Sequence, residues 1–348
     1  MNNNLDPILR EDLAHISEIF PHWEELSGKS VFVTGATGLV GSMLVRTLCA
    51  APVEITVIAH VRNEQKARSM FGDLPVTYCL GDVTAPVSYD GTVDHILHTA
   101  SVTASKAFVT QPVETLMTAI DGTRNLLEFA REKAVKSMVY VSSMEAYGIT
   151  DPNLDRVHEN DLGYIDILSV RSSYSEGKRI CECLCAAYAS EYGVPVKIAR
   201  LAQTFGAGVS VADGRVFAQF TKSCLAGTDI VLHTAGKSMG NYCYTADAVR
   251  GLLTILLKGE NGGAYTVVNP ATSMQIREVA KLVSDTLTEG RTRIIFDIPE
   301  SALTYGYAPD VTMRLSGDKL MALGWKPEVD LPEMFRRLAA SFRAQEGA

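Results

Sequence analysis

Apolar residues fall into alternating rhythms between about residues 30 and 200. Compact apolar runs occur at Ser30 to Thr34, Glu54 to Val61, Val76 to Leu80, His95 to His98 and Ser137 to Val141, and they suit strands covered on both faces. Between them lie stretches with helical spacing: Leu39 to Cys49, Pro112 to Lys133 and Tyr174 to Tyr188. In the second of these, Val113, Leu116, Ile120, Leu126, Leu127 and Ala130 form the predicted packing face. Strand and helix in turn predict an α/β fold, a doubly wound parallel sheet of Rossmann type over residues 29–200.

The flanks read differently. Ile8, Leu13, Ile16, Ile19 and Phe20 recur at near-helical spacing until Pro21, predicting a helical extension over residues 1–28 packed on the outside of the domain. Residues 201–348 are interrupted by glycines and end in two amphipathic segments, Gln275 to Thr288 and Leu331 to Phe342. Phe217, Phe220 and Tyr244 are read there as core residues.

The first strand runs into Gly35-Ala36-Thr37-Gly38-Leu39-Val40-Gly41, a G-x-x-G-x-x-G turn opening a helix. Such a turn offers unpaired backbone N–H groups, the positive end of a helix dipole and no Cβ atoms to hold an anion away. Gly35, Thr37, Gly38, Leu39, Val40 and Gly41 are therefore candidate contacts for a dinucleotide pyrophosphate. Arg62 at the end of the second strand leans the cofactor NAD(P) toward NADP, because an arginine there accommodates a 2′-phosphate. Asp82, beside Val83, could accept from an adenine amino group, or simply cap its turn. Thr99, Ala100 and Ser101 after the fourth strand are small enough for close cofactor approach, and His98 is read as structural.

The fifth strand delivers Ser142-Ser143-Met144-Glu145, and Tyr174-Ser175-Glu176-Gly177-Lys178 opens a later helix. The i, i+4 spacing stacks Tyr174 and Lys178 a turn apart, so the lysine should lower the phenol's pKa toward use as a general base. With these motifs the chain resembles the extended short-chain dehydrogenase/reductase family, in its branch that modifies nucleotide-diphosphate sugars. The resemblance runs from Lys29 to Pro327 and includes Leu323-Gly324-Trp325-Lys326-Pro327. It implies that Tyr174 is the base for the sugar 4-hydroxyl, that Lys178 holds the nicotinamide ribose and that Ser143 hydrogen-bonds the reacting oxygen. It also implies a smaller C-terminal substrate-binding domain with some chain returning to the sheet, Gln203 and Arg215 near the substrate, and a homodimer.

The run Arg171-Ser172-Ser173-Tyr174-Ser175-Glu176-Gly177-Lys178-Arg179 is similar to R-x-x-Y-x-E-G-K-R of UDP-glucuronate decarboxylases, as is Asp213-Gly214-Arg215-Val216 after Thr204-Phe205-Gly206. Glu145 looks like the catalytic glutamate of the dehydratases and of the UDP-glucuronate decarboxylases, where simple 4-epimerases tend to have a small residue. Decarboxylation of a UDP-uronate is the leading expectation, ahead of 4,6-dehydration, for which Glu145 would be the C5 base, and of 4-epimerisation. An NADPH-dependent ketone reductase and an inactive cofactor-binding regulator are the remaining alternatives. Two departures stand out: Gly240 occupies the place of the decarboxylases' arginine, and Met144 that of an aspartic acid in one dehydratase group. Lys106, Arg171, Lys222 or Lys237 could supply the missing cation.

Composition narrows the picture further. A net charge of −8 without any basic run speaks against a nucleic-acid partner. No apolar stretch approaches the roughly 20 residues of a membrane span, and the polar start MNNNLDPILRED is unlike a signal peptide, so a cytoplasmic enzyme is expected. Seven scattered cysteines, Cys181-x-Cys183-x-Cys185 included, read as small buried hydrophobes with free thiols rather than metal ligands.

Overall fold

In the computed structural model residues 5–298 and 310–347 are described; the first four residues of the polar start and 299–309 in the C-terminal part lie outside them. Helices α1 (Pro7–Ile19) and α2 (Trp23–Leu26) precede the alternating core. That core runs β1 (Lys29–Thr34), α3 (Leu39–Cys49), β2 (Ile55–Val61), α4 (Glu64–Phe71), β3 (Val76–Leu80), β4 (His95–His98), α5 (Ser105–Thr110), α6 (Pro112–Glu132) and β5 (Ser137–Ser143). A single 3-10 turn at Met144–Tyr147 follows, then α7 (Ser172–Tyr192) and β6 (Val196–Leu201). Beyond these come β7 (Gln203–Phe205), α8 (Val216–Ala226), β8 (Ile230–Leu232), β9 (Met239–Tyr244), α9 (Thr245–Lys258) and β10 (Ala264–Val267). The chain finishes with β11 (Asn269–Gln275), α10 (Ile276–Thr288), β12 (Ile294–Phe296), α11 (Asp318–Met321) and α12 (Leu331–Glu346).

Seven strands form one parallel sheet in the order β10-β6-β5-β4-β1-β2-β3. Alternation along each strand feeds two cores. Val31, Val33, Val57 and Val139 point to the face covered by α3 and α9, on which α1 packs in turn, whereas Phe32, Ile58, Ile96, Met138 and Tyr140 point to the face covered by α6 and α7. Because β2 and β3 lie on one side of β1 and β4 on the other, the chain reverses direction of travel at β1, and the crevice above β1 and β4 is where such sheets bind ligands. A smaller lobe holds the β11-β9-β7 sheet and the β12-β8 pair, packed with α8, α10 and α12. Phe217, Phe220 and Tyr244 are buried in it.

Three details differ from the sequence reading. Val113 is exposed rather than packed, because it lies in the solvent-facing first turn of α6; Leu116 and Ile120 are half-buried, and Leu126, Leu127 and Ala130 further along are buried. Cys183 is likewise exposed, while Cys181 and Cys185 on the opposite side of α7 are buried; all seven thiols are free. And α1 is more than an outer layer, because it is wired to the C-terminal lobe. Asp12 accepts from the Tyr244 hydroxyl at 2.6 Å and from Arg337 of α12 at 2.9 Å.

Burial pushes the Asp12 carboxyl from 3.8 up to about 6, against the pull of Tyr244 and Arg337. A carboxyl whose pKa is higher folded than unfolded takes up a proton on folding between the two values, so its share of stability falls as pH rises through that window. Asp12→Asn cannot titrate and should flatten the slope of unfolding free energy between about pH 4 and pH 6 in urea melts. An unchanged slope would remove Asp12 from the pH dependence.

Candidate active site

The glycine turn sits at the carboxyl end of β1 as geometry demands. Gly35 takes φ +63°, and a Cβ on it would lie 2.7 Å from the Ala100 N and the Thr99 Oγ1. A Cβ on Gly41 would collide with the Gly35 carbonyl, so only glycine lets α3 approach β1 this closely. Gly38 caps α3 and donates to the Gly35 carbonyl at 2.9 Å, with Thr37, Leu39 and Val40 beside it. Thr99 donates to the Thr34 carbonyl at 2.6 Å and Ala100 N–H to the Thr34 Oγ1 at 3.2 Å, which locks β4 to β1 below the cradle. His98 shares a 2.7 Å hydrogen bond with Thr34; burial, with help from Lys178 and His60, holds its pKa down at about 3, so it is a neutral structural histidine. A backbone cradle without Cβ atoms at a helix N-terminus and a sheet switch point fits a dinucleotide pyrophosphate.

The outer rim of the cradle is less committed. Arg62 follows β2, is 79% exposed and faces Asp82 at 3.7 Å. Asp82 is engaged in its own turn, accepting from the Thr84 N–H at 3.0 Å and hydroxyl at 2.9 Å. Val83 is buried, and its carbonyl accepts from Asn125 at 2.9 Å. Ser101 donates to the Val102 carbonyl at 3.3 Å.

Across the crevice, β5 ends at Ser143, whose Oγ caps the 3-10 turn by accepting from Glu145 N–H at 3.2 Å. The first turn of α7 brings Tyr174 close to it, near enough for the Ser143 hydroxyl to favour the phenolate. Lys178 sits one turn on, its ammonium 5.7 Å from the centre of the Tyr174 ring, but it donates to the Val141 carbonyl at 2.9 Å. Here the structure corrects the expectation that Lys178 lowers the phenol. Burial and the Glu145 charge push Tyr174 up to about 12, with Ser143, Arg171 and Arg215 pulling it back. Lys178 itself is held down to about 8 by burial.

Glu145 is tightly held. Arg171 Nη1 lies 2.9 Å from its Oε2, Arg171 Nη2 donates to its Oε1 at 3.0 Å, and Ser175 donates to Oε2 at 3.2 Å. This is the forked geometry in which a guanidinium grips a carboxylate. The Arg171 guanidinium lies 4.7 Å over the ring of Phe108 in α5, and that ring stacks on Tyr174 at 4.2 Å. Phe108 was not singled out from the sequence, since nothing in the spacing of the small-residue run after β4 marks an aromatic for this place.

Gln203 opens β7 beside Tyr242, half-buried. Arg215 clamps Asp213 at 2.6 Å and lies 4.7 Å over Phe217, at the start of α8. Glycine at 240 also has a physical reason, because a Cβ there would collide with the Tyr242 hydroxyl of the same strand. Among the described residues no cluster of His, Cys, Asp and Glu could hold a metal ion, and no helix is long and apolar enough to cross a membrane.

Residues 31–270 match the model of the NAD dependent epimerase/dehydratase family. The chain belongs to that family. Relatives within it include UDP-glucuronic acid decarboxylase 1 of Danio rerio, 31% identical over 315 residues that cover 89% of this chain and 71% of the fish protein. UDP-glucuronic acid decarboxylase 6 of Arabidopsis thaliana is 28% identical over 325 residues, 92% of this chain and 91% of that one. Among solved structures, UDP-glucose 4-epimerase from Thermotoga maritima superimposes with a TM-score of 0.77 at 21% identity, covering 92% of this chain and all of that one. The dTDP-glucose 4,6-dehydratase of Bacillus anthracis in complex with NAD gives 0.74 at 18%, covering 92% and 98%. Both show a shared fold. The family is described by NAD, and the lean toward NADP drawn from Arg62 finds no support in these relatives.

Proposed function

We propose that the protein is a UDP-glucuronate decarboxylase that works by transient oxidation at C4. The observation that carries this reading is the engagement of Glu145. With no uronate bound, both its oxygens are held by Arg171 and Ser175, so a neutral sugar meets an oxidising set whose carboxylate is not free to take the C5 proton. Dehydration needs such a base. Decarboxylation does not, because a 4-ketone beside a C6 carboxylate makes a β-keto acid that loses carbon dioxide readily. The relatives named as UDP-glucuronic acid decarboxylases point the same way.

In this reading Tyr174 takes the proton of the sugar 4-hydroxyl, Ser143 hydrogen-bonds the same oxygen and Lys178 lies at the cofactor ribose. When bound, a nicotinamide would supply the acceptor for the C4 hydride and the donor that returns it. The 4-ketone draws the electron pair of the breaking C5–C6 bond into an enolate, carbon dioxide leaves, and C5 takes up a proton from solvent. Gly35, Gly38 and Gly41 hold the pyrophosphate of the dinucleotide, while Gln203 and Arg215 face the substrate nucleotide. NAD is the better cofactor than NADP, since the Asp82 carboxylate beside Arg62 would repel a 2′-phosphate. Residues 201–348 act mainly as the substrate-binding part. A cytoplasmic homodimer joined through α6 and α7 fits the exposed Val113, Met117 and Ile180 on their outer faces.

Mass spectrometry of products tests the reading, with UDP-glucuronate, UDP-glucose, dTDP-glucose, CDP-glucose and GDP-mannose as the panel. Loss of carbon dioxide from UDP-glucuronate without net consumption of cofactor is the expected result. Loss of water from a neutral sugar would instead make the protein a dehydratase, and an isomer of unchanged mass an epimerase.

A further inference from the structure

A sugar whose C4 hydroxyl meets Tyr174 and Ser143 carries its C6 group two bonds from the reacting carbon, within reach of the side chains that surround Tyr174. A C6 carboxylate brought into this partly enclosed site requires a cation. The decarboxylases' arginine is missing at Gly240, where any side chain would have to displace the buried Tyr242 ring, whose hydroxyl a Cβ would strike. Of the four cations considered from the sequence, Lys106 and Lys237 are exposed. Lys222 is spent on the carbonyls of Val211 and Asp213 at 3.1 and 2.8 Å. Arg215, outside those four, is clamped to Asp213, whose carboxylate at 16% exposure is less able to yield it than Glu145 at 29% is to yield Arg171.

Arg171 is different. It is buried, stands three residues before Tyr174 at the start of α7, and shares Phe108 with that tyrosine. Its guanidinium is already shaped around a carboxylate, that of Glu145, in a two-pronged contact. The Glu145 side chain keeps 29% exposure, so it can yield the guanidinium and remain solvated.

We propose that Arg171 grips the C6 carboxylate of the substrate, with which Glu145 exchanges places on the guanidinium, and so stands in for the arginine absent at Gly240. The inference rests on the decarboxylase reading and adds to it the residue that selects a uronate over a neutral hexose. Glu145 is then a placeholder. It keeps the fork shaped and its charge satisfied until a second carboxylate arrives.

Calorimetric titration of UDP-glucuronate, UDP-glucose and UDP into the full-length wild type, Arg171→Gln, Arg171→Lys and Glu145→Gln tests this. Arg171→Gln should weaken UDP-glucuronate by roughly 10- to 100-fold, the worth of a forked charge-assisted pair, and leave UDP-glucose and UDP within about twofold. Arg171→Lys keeps the charge without the fork and should fall between. Glu145→Gln removes the competing carboxylate and should tighten UDP-glucuronate severalfold with UDP unchanged, a change that a purely structural Glu145 would not produce. Parallel weakening of UDP and UDP-glucuronate in Arg171→Gln would make Arg171 a phosphate contact and overturn the proposal, as would a retained preference for the uronate. If Arg171→Gln does not fold, a Glu145→Gln protein that binds the uronate no better than wild type overturns it equally. A wild type that neither prefers nor decarboxylates UDP-glucuronate sinks the functional reading itself, whatever the variants do.

Discussion

Tyr174→Phe should lower kcat by about 10²- to 10⁴-fold, the usual worth of a positioned general base, while cofactor affinity and the unfolding midpoint stay close to wild type. The separation is possible because the ring and the hydroxyl do different jobs. The ring stacks on Phe108 at 4.2 Å and phenylalanine keeps that contact, whereas the hydroxyl, which Ser143 favours in its charged form, is what phenylalanine lacks. Lys178 is anchored on the Val141 carbonyl and does not depend on the phenol for its position. With the phenol pushed up to about 12 by burial and by Glu145, wild-type kcat should also climb with pH across the neutral range as the phenolate fraction grows. The variant's residual rate should lose that rise. Measured turnover of the variant within tenfold of wild type would refute the role given to Tyr174.

The sequence and the structure agree where a motif is a statement about backbone. Gly35 and Gly41 were legible because a positive φ and a close strand–helix approach admit only glycine, and these constraints are local to a few residues. The same holds for the doubly wound sheet, whose strands alternate with helices at spacings that short-range pattern reveals. Tyr174 and Lys178 were legible as neighbours on one helix face, yet the consequence drawn from their spacing failed. Spacing fixes where the Lys178 Cα lies and leaves open which acceptor its long side chain reaches, and the Val141 carbonyl lies on a strand far off in sequence. The Glu145–Arg171 fork and the Phe108 stack depend on three segments meeting at one point, β5's exit, the start of α7 and α5, so no local rhythm encodes them. The bond from Asp12 to Tyr244 joins the extension to a strand near the other end of the chain and was equally invisible.

Beneath the reacting residues lies a buried polar network, and Arg200→Met should cost about 3–5 kcal/mol of stability by breaking it. Arg200 of β6 donates to both oxygens of Glu182, at 3.0 and 3.2 Å from Nε and 2.7 Å from Nη2, and its Nη1 donates to the Glu159 carbonyl at 2.7 Å. Its guanidinium also lies 4.7 Å over Tyr147. Glu182 accepts from Ser142 at 2.5 Å, the residue before Ser143, and Tyr147 closes the same turn through Thr266 at 2.5 Å. Removing the arginine alone strands a carboxylate that is 8% exposed, which is why the loss should exceed that of an ordinary core change. Replacing both partners, Arg200→Met with Glu182→Leu, removes the stranded charge and should recover part of the loss, short of all of it because the Glu159 carbonyl and Ser142 stay unpaired. Urea unfolding of the two singles and the double measures this cycle. A double variant no more stable than Arg200→Met would mean that the arginine acts through Glu159 and Tyr147 rather than through Glu182. Since Ser142 and Tyr147 flank the strap that carries Ser143, the recovered double variant should still show a lowered kcat with KM for the nucleotide sugar little changed, as expected when the serine proposed to hold the sugar oxygen is loosened and the nucleotide contacts proposed at Gln203 and Arg215 are not.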